Sequence, residues 1–162
     1  MTRSMKPWII IFLAGLLLVG CARPYKRHAQ FVPEEYAPYA GTGNSRLCGQ
    51  AFLSLGDGQT HLSVHDNVLL APVTSYTQEA FKVKVMQRRP IQSQDPQAQQ
   101  FEKTTQTDQD GKFCFIDVPA GDYFVIADIT LPESAKGKRV GKWVHAQATV
   151  KEHENVHIMI TQ

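Results

Sequence analysis

The stretch TDQDGKFCFIDVPAGDY, Thr107 to Tyr123, combines an Asp-x-Asp-Gly with a cysteine set between two phenylalanines. Those residue types do two kinds of chemistry: calcium binding through carboxylates and redox exchange through a thiol. A calcium loop of the EF-hand kind needs oxygen donors at positions one, three, five and twelve and glycine at six. With Gly111 at six, Asp110, Asp108 and Asp117 fall at five, three and twelve, but Gln106 stands at one, an amide where the first carboxylate belongs. The following FCFIDV alternates as a strand, where that motif requires a helix. A hairpin turn uses the same residues more simply, since Asp108 and Asp110 can accept backbone N–H groups and Gly111 supplies φ > 0. No metal and no cofactor is expected.

Other reactive residues fare no better as a catalytic set. Of the six histidines, His61 and His65 have the spacing of helical metal ligands, but DGQTHLSVHDN reads as loop, where that spacing aligns nothing. If the last two strands pair across residues 151–155, His157 faces Thr149 and His145 faces Thr161, so those histidines do not meet. Asp66 and Asp128 could join a histidine in space only as any carboxylate could, no Gly-x-Ser-x-Gly occurs, and phosphate-loop and dinucleotide glycine patterns are missing. There is no Cys-x-x-Cys. The expectation is a protein without enzymatic activity.

The N-terminus carries an address. Arg3 and Lys6 precede an uncharged run from Pro7 to Gly20, followed at once by Cys21. That is the layout of an export signal, and the run is shorter than the roughly 20 apolar residues of a membrane span. Removal of residues 1–20 takes two of the 17 basic residues, leaving 15 to balance the 15 acidic ones. A near-neutral mature chain is not built for steering to nucleic acid. Export also places Cys48 and Cys114 where disulfides persist. A bridge would close a long loop, worth about 4 kcal/mol if unstrained; two free thiols are the alternative.

These residues must be positioned by the elements that follow. Residues 21–45, rich in proline and ending Gly-Thr-Gly-Asn, predict a flexible tether, although Tyr25, Phe31, Tyr36 and Tyr39 also suit a segment that docks on a partner or on its own domain. From residue 46 to 162 period-two alternation predicts seven strands, in RLCGQAFLSL, NVLLAPVT, AFKVKVMQ, GKFCFIDV, DYFVIADI, WVHAQATV and VHIMIT. Phe113 and Phe115 then face the core, with Cys114 on the outer face. Residues 87–106 form a glutamine-rich loop with room for a short helix after Asp95-Pro96, and residues 132–142 a basic loop. The clusters Lys82, Lys84, Arg88, Arg89 and Lys136, Lys138, Arg139, Lys142 read as solvated surface, with lipid phosphate or an acidic partner as the functional option. The whole is an all-β sandwich.

Two resemblances sharpen this. LVGC, Leu18 to Cys21, resembles the lipobox of bacterial lipoproteins, which implies cleavage before Cys21 and fatty acylation of that cysteine; Ala22 after it favours the outer membrane, with the domain in the periplasm. GQAFLSL, VLLAPVT and above all Thr107 to Tyr123 resemble the carboxypeptidase regulatory-like, or prealbumin-like (transthyretin-like), β-sandwich. That family implies a non-enzymatic module, and its topology makes the strands of Cys48 and Cys114 sheet neighbours, so that a cross-strand disulfide is open to them. The expected function is an outer-membrane-anchored binding or assembly module with an envelope protein partner, such as a component of a secretion or surface complex. The alternative is a small-ligand or carbohydrate module using the aromatic tether and the loop of residues 87–106.

Overall fold

The computed structural model describes residues 23–55, 58–131 and 140–161. The export signal, Cys21 and most of the basic loop, with Lys136, Lys138 and Arg139, lie outside them. Eight strands occur among the described residues: β1 (Ser45–Ser54), β2 (Thr60–Leu62), β3 (Asn67–Pro72), β4 (Lys103–Gln106), β5 (Lys112–Val118), β6 (Gly121–Leu131), β7 (Val140–Val150) and β8 (Asn155–Ile160). One sheet is built on β1, which pairs antiparallel with β5 and β2 and parallel with β8. The other runs β4-β3-β6-β7, all antiparallel. The chain is an all-β protein of two packed sheets.

Alternation sets which side chains meet between the sheets. Leu47, Ala51, Leu53, Phe113, Phe115 and Ile160 from the first sheet close on Val68, Leu70, Tyr123, Val125, Ala127, Ile129 and Val144 from the second. Phe113 and Phe115 are buried as expected, and Cys114 between them is exposed. The hairpin into β5 is the expected turn. Asp108 Oδ1 accepts from the Asp110 and Lys112 amides at 2.9 and 2.8 Å, and Gly111 takes φ 74°. Tyr123 Oη donates to the Pro119 carbonyl at 2.8 Å, which ties the second turn of the motif to β6.

Three expectations are corrected. First, AFKVKVMQ is not a strand. Thr74 caps a helix, α1 of the domain (Ser75–Ala80), through a reciprocal box with Thr77, and the helix continues as a π-helix over Phe81–Met86. Alternation over so few residues does not separate strand from helix, and the cap decides. Two short strands the pattern did not mark, β2 and β4, bring the total above seven. Second, β7 and β8 do not pair, because the turn between them crosses from one sheet to the other. His157 lies instead opposite Cys48, and His145 opposite Ile126.

Third, residues 25–39 are not a free tether. Tyr25 bridges Ile91, with Tyr25 N to Pro90 O at 2.8 Å and Gln92 N to Tyr25 O at 2.9 Å. Tyr36 is fully buried in a second, smaller core with Tyr76, Ala98, Phe31 and Phe101. Its hydroxyl accepts from Thr74 Oγ1 at 3.1 Å. Tyr39 packs edge-on against Tyr123 and presses on Gly121, where a Cβ would collide with the ring. The four aromatics of this segment give it enough apolar surface to dock, which outweighs its prolines.

Candidate functional site

The outer face of the second sheet is only partly covered. Leu69, Phe124, Ile126 and Trp143 point away from the main core, and the insertion between β3 and β4 folds over them. Its first part is α1 and the π-helix. Phe81 stacks on Phe124 at a centroid distance of 4.2 Å, with planes 6° apart, and meets His145 edge-on at 4.9 Å. Its second part is the loop of residues 88–94 and a one-turn helix, α2 (Pro96–Gln99), capped by Asp95, whose side chain accepts from Gln97 N. Between helix, loop and sheet lies a groove of about 730 Å³, within the 300–1,000 Å³ typical of small-ligand sites.

The docked N-terminal segment completes one wall. Glu79 holds it, accepting from the His28 amide at 2.9 Å and the Ala29 amide at 3.0 Å. Desolvation pushes the Glu79 carboxyl up, but these backbone donors outweigh it and leave the group below the usual carboxylate value. Arg27 enters the groove from this segment. Its guanidinium carbon lies 4.3 Å from the Tyr76 ring centroid, and Nε donates to the Gln92 carbonyl at 3.1 Å. Arg27 Nη1 is buried with no hydrogen-bond partner among the described residues.

Charge and aromatic surface converge here. Lys84 Nζ sits 5.4 Å above the Trp143 ring, and Arg88, Arg89 and Lys142 also line the groove, with Asp128 and Glu102 as its carboxylates. Burial pushes the Glu102 carboxyl above its usual value; a 2.7 Å bond from Gln94 and the charges of Lys84 and Arg27 work against that. A left-handed φ of 52° at Arg88 marks the turn that leads into the loop.

The sequence-predicted residues are placed as follows. Cys48 and Cys114 are directly opposed in the β1–β5 register and joined by a disulfide, with Cα atoms 4.0 Å apart. The bridge lies on the outer face of the first sheet. The histidines are scattered: His61 Nε2 lies 3.2 Å from the Thr130 carbonyl, His157 is beside the disulfide, and His65 and His153 occupy left-handed turn positions. Among the described residues no three His, Cys, Asp or Glu side chains group as metal ligands. Asp66 joins no histidine; it accepts from Ser63 Oγ at 2.9 Å and from the Thr130 amide at 3.1 Å, tying a loop to β6. Lys84, Arg88, Arg89 and Lys142, read from the sequence as solvated surface, line the groove. Trp143, Phe81, Arg27 and Glu102 were not singled out; the Thr74-x-x-Thr77 cap before Gln78-Glu79-Ala80 is the signal that would have placed the helix over the sheet.

Fold and groove together define a β-sandwich with a ligand-sized recess on one sheet. No protein-family model matches the chain, and no curated relative matches it. Among solved structures it is similar to a crystal structure from Pseudomonas aeruginosa described as a "putative carbohydrate binding protein", at 26% identity and a TM-score of 0.67, covering 83% of this chain and 99% of that one.

Proposed function

We propose that the chain is a carbohydrate-binding lipoprotein of the bacterial envelope, without enzymatic activity, whose prealbumin-like sandwich takes its ligand in the groove over Trp143. The observation that carries this reading is the convergence of Trp143, Phe81 and the polar side chains of Arg27, Lys84, Glu102 and Asp128 around a recess of about 730 Å³. An aromatic face accepts the apolar C–H face of a sugar ring, and charged groups fix its hydroxyls. The similar structure supports the choice of ligand class. The address comes from the sequence: cleavage after Gly20, acylation of Cys21 and, with Ala22 next, the outer membrane, with the sandwich in the periplasm. Two or three acyl chains hold a protein stably where one does not.

Docking to an envelope protein is the second reading. It is favoured by the outer face of the first sheet, where Ile116 is 55% and Met159 60% exposed beside the disulfide.

With residues 1–20 removed, Trp143 is the chain's one tryptophan, since Trp8 leaves with the signal. Its emission therefore reports the groove directly. Titration of the mature protein with a panel of oligosaccharides and peptidoglycan fragments should shift that emission for at least one of them, and a Phe81→Ala variant should bind it about tenfold more weakly. No response from any saccharide would reject the carbohydrate reading. Labelled palmitate should enter the wild type and not Cys21→Ser.

A further inference from the structure

The mature chain is balanced at 15 basic and 15 acidic residues, but the groove is not. Five cations, Arg27, Lys84, Arg88, Arg89 and Lys142, line it against two carboxylates. One of these, Glu102, is already engaged by Gln94 Nε2 at 2.7 Å. Cations converging on one recess raise the local concentration of an anionic ligand more than the same charges spread over a surface.

Two details give that excess a direction. Lys84 Nζ stands over the Trp143 ring, so a sugar laid at that ring also meets an ammonium. Arg27 is stacked on Tyr76 and held at Nε by Gln92, while its buried Nη1 has no acceptor among the described residues. A buried donor of this kind, left without a partner, is costly, and an anionic oxygen is the acceptor that suits a guanidinium best.

We infer that the groove selects an acidic saccharide, whose carboxylate or phosphate is received by Arg27 and Lys84 while its ring lies at Trp143. This rests on the carbohydrate reading above and narrows it. The two sources of the anion, a uronate carboxylate and a sugar phosphate, are separated by the test.

The test titrates the mature protein, followed by Trp143 emission and by calorimetry, with four probes: tetragalacturonate, glucose 6-phosphate, neutral maltotetraose and inorganic phosphate. At least one acidic saccharide should bind tenfold or more tightly than maltotetraose, and whichever does identifies the anion. Raising salt from low to high should weaken it and leave the neutral sugar unchanged. Arg27→Gln should reduce that preference about tenfold. Lys84→Gln, on an exposed side chain that folding does not need, should reduce it several-fold. Maltotetraose binding as tightly as both acidic sugars would overturn the inference and leave the carbohydrate reading standing. Inorganic phosphate binding as well as either acidic sugar would overturn the inference as anion capture alone. No binding by any of the three saccharides would overturn the inference, and the carbohydrate reading falls with it only if the wider panel of oligosaccharides and peptidoglycan fragments also gives no response.

Discussion

Replacing both cysteines, Cys48→Ser with Cys114→Ser, should destabilise the domain without changing its fold, and the size of the loss can be worked from position. The bridge spans 66 residues. On the loop-entropy account a closed loop of that length restricts the unfolded chain by about 4 kcal/mol at 25 °C. Little is lost in the folded state, because both side chains lie on the outer face and leave no core cavity. β1 also remains hydrogen-bonded to β5 on one edge and β8 on the other. With a urea slope of about 1.5 kcal/mol per molar for a domain of this size, the midpoint should fall by about 2.5 M. The slope itself should rise, because the uncrosslinked chain exposes more surface on unfolding. Urea titrations of the oxidised protein and the double variant, followed by Trp143 emission and circular dichroism, give both quantities. A midpoint shift below about 0.5 M with an unchanged slope would refute the argument that the bridge acts on the unfolded chain.

Acid should loosen the N-terminal segment. Glu79 is held below the ordinary carboxylate value in the folded state, as its backbone donors outweigh its desolvation, so its contribution is complete above about pH 4.5 and is lost as pH falls through the depressed folded value. Hydrogen exchange of residues 25–39 should show less protection in that window, and Glu79→Gln should remove the difference. Glu102 carries the opposite sign: burial raises its carboxyl, so its ionisation works against folding as pH rises from about 4.5 through the raised value, and Glu102→Gln should flatten that limb of a stability-against-pH curve. At the hairpin, Gly111 has φ 74° and an added Cβ would meet the Ala51 carbonyl at 2.8 Å. Gly111→Ala should therefore cost about 1–3 kcal/mol and lower the melting temperature by several degrees in a thermal scan.

Six of the eight strands were legible because each has one face on a continuous core, and burial of one face is what alternation records. Leu47, Ala51 and Leu53 on β1 and Phe113 and Phe115 on β5 show it directly. β2 and β4 were not legible: at three and four residues they are too short for a period to register. Residues 81–85 misled for a different reason. Phe81, Val83 and Val85 alternate with Lys82 and Lys84, yet the segment lies on the outside of a sheet, where Val83 packs inward from a helix and Lys84 lies over Trp143. The disulfide was open only through the topology that the family resemblance implied, and the motif turn was legible from residue chemistry. The groove was not, since it depends on Trp143 and Arg27, 116 positions apart in sequence, lining one recess through an insertion whose helix was read as a strand.

That dependence makes the groove a product of the insertion as much as of the sandwich. The two sheets, their core and the hairpin of Asp108 to Lys112 would stand with a plain turn between β3 and β4. What residues 73–102 add is a capped helix whose Phe81 seals one end of the exposed sheet against Phe124, and a loop whose Gln92 and Gln94 hold Arg27 and Glu102 in place. The N-terminal segment is the third component, because Tyr36 bridges it to Thr74 and Tyr76 of the insertion in the small core. Segment and groove are therefore continuous: the N-terminal segment meets the domain at Tyr25, two residues before Arg27 enters the groove. The Tyr25–Ile91 bridge and the Glu79 contacts to His28 and Ala29 hold the N-terminal segment and shape the groove wall at once.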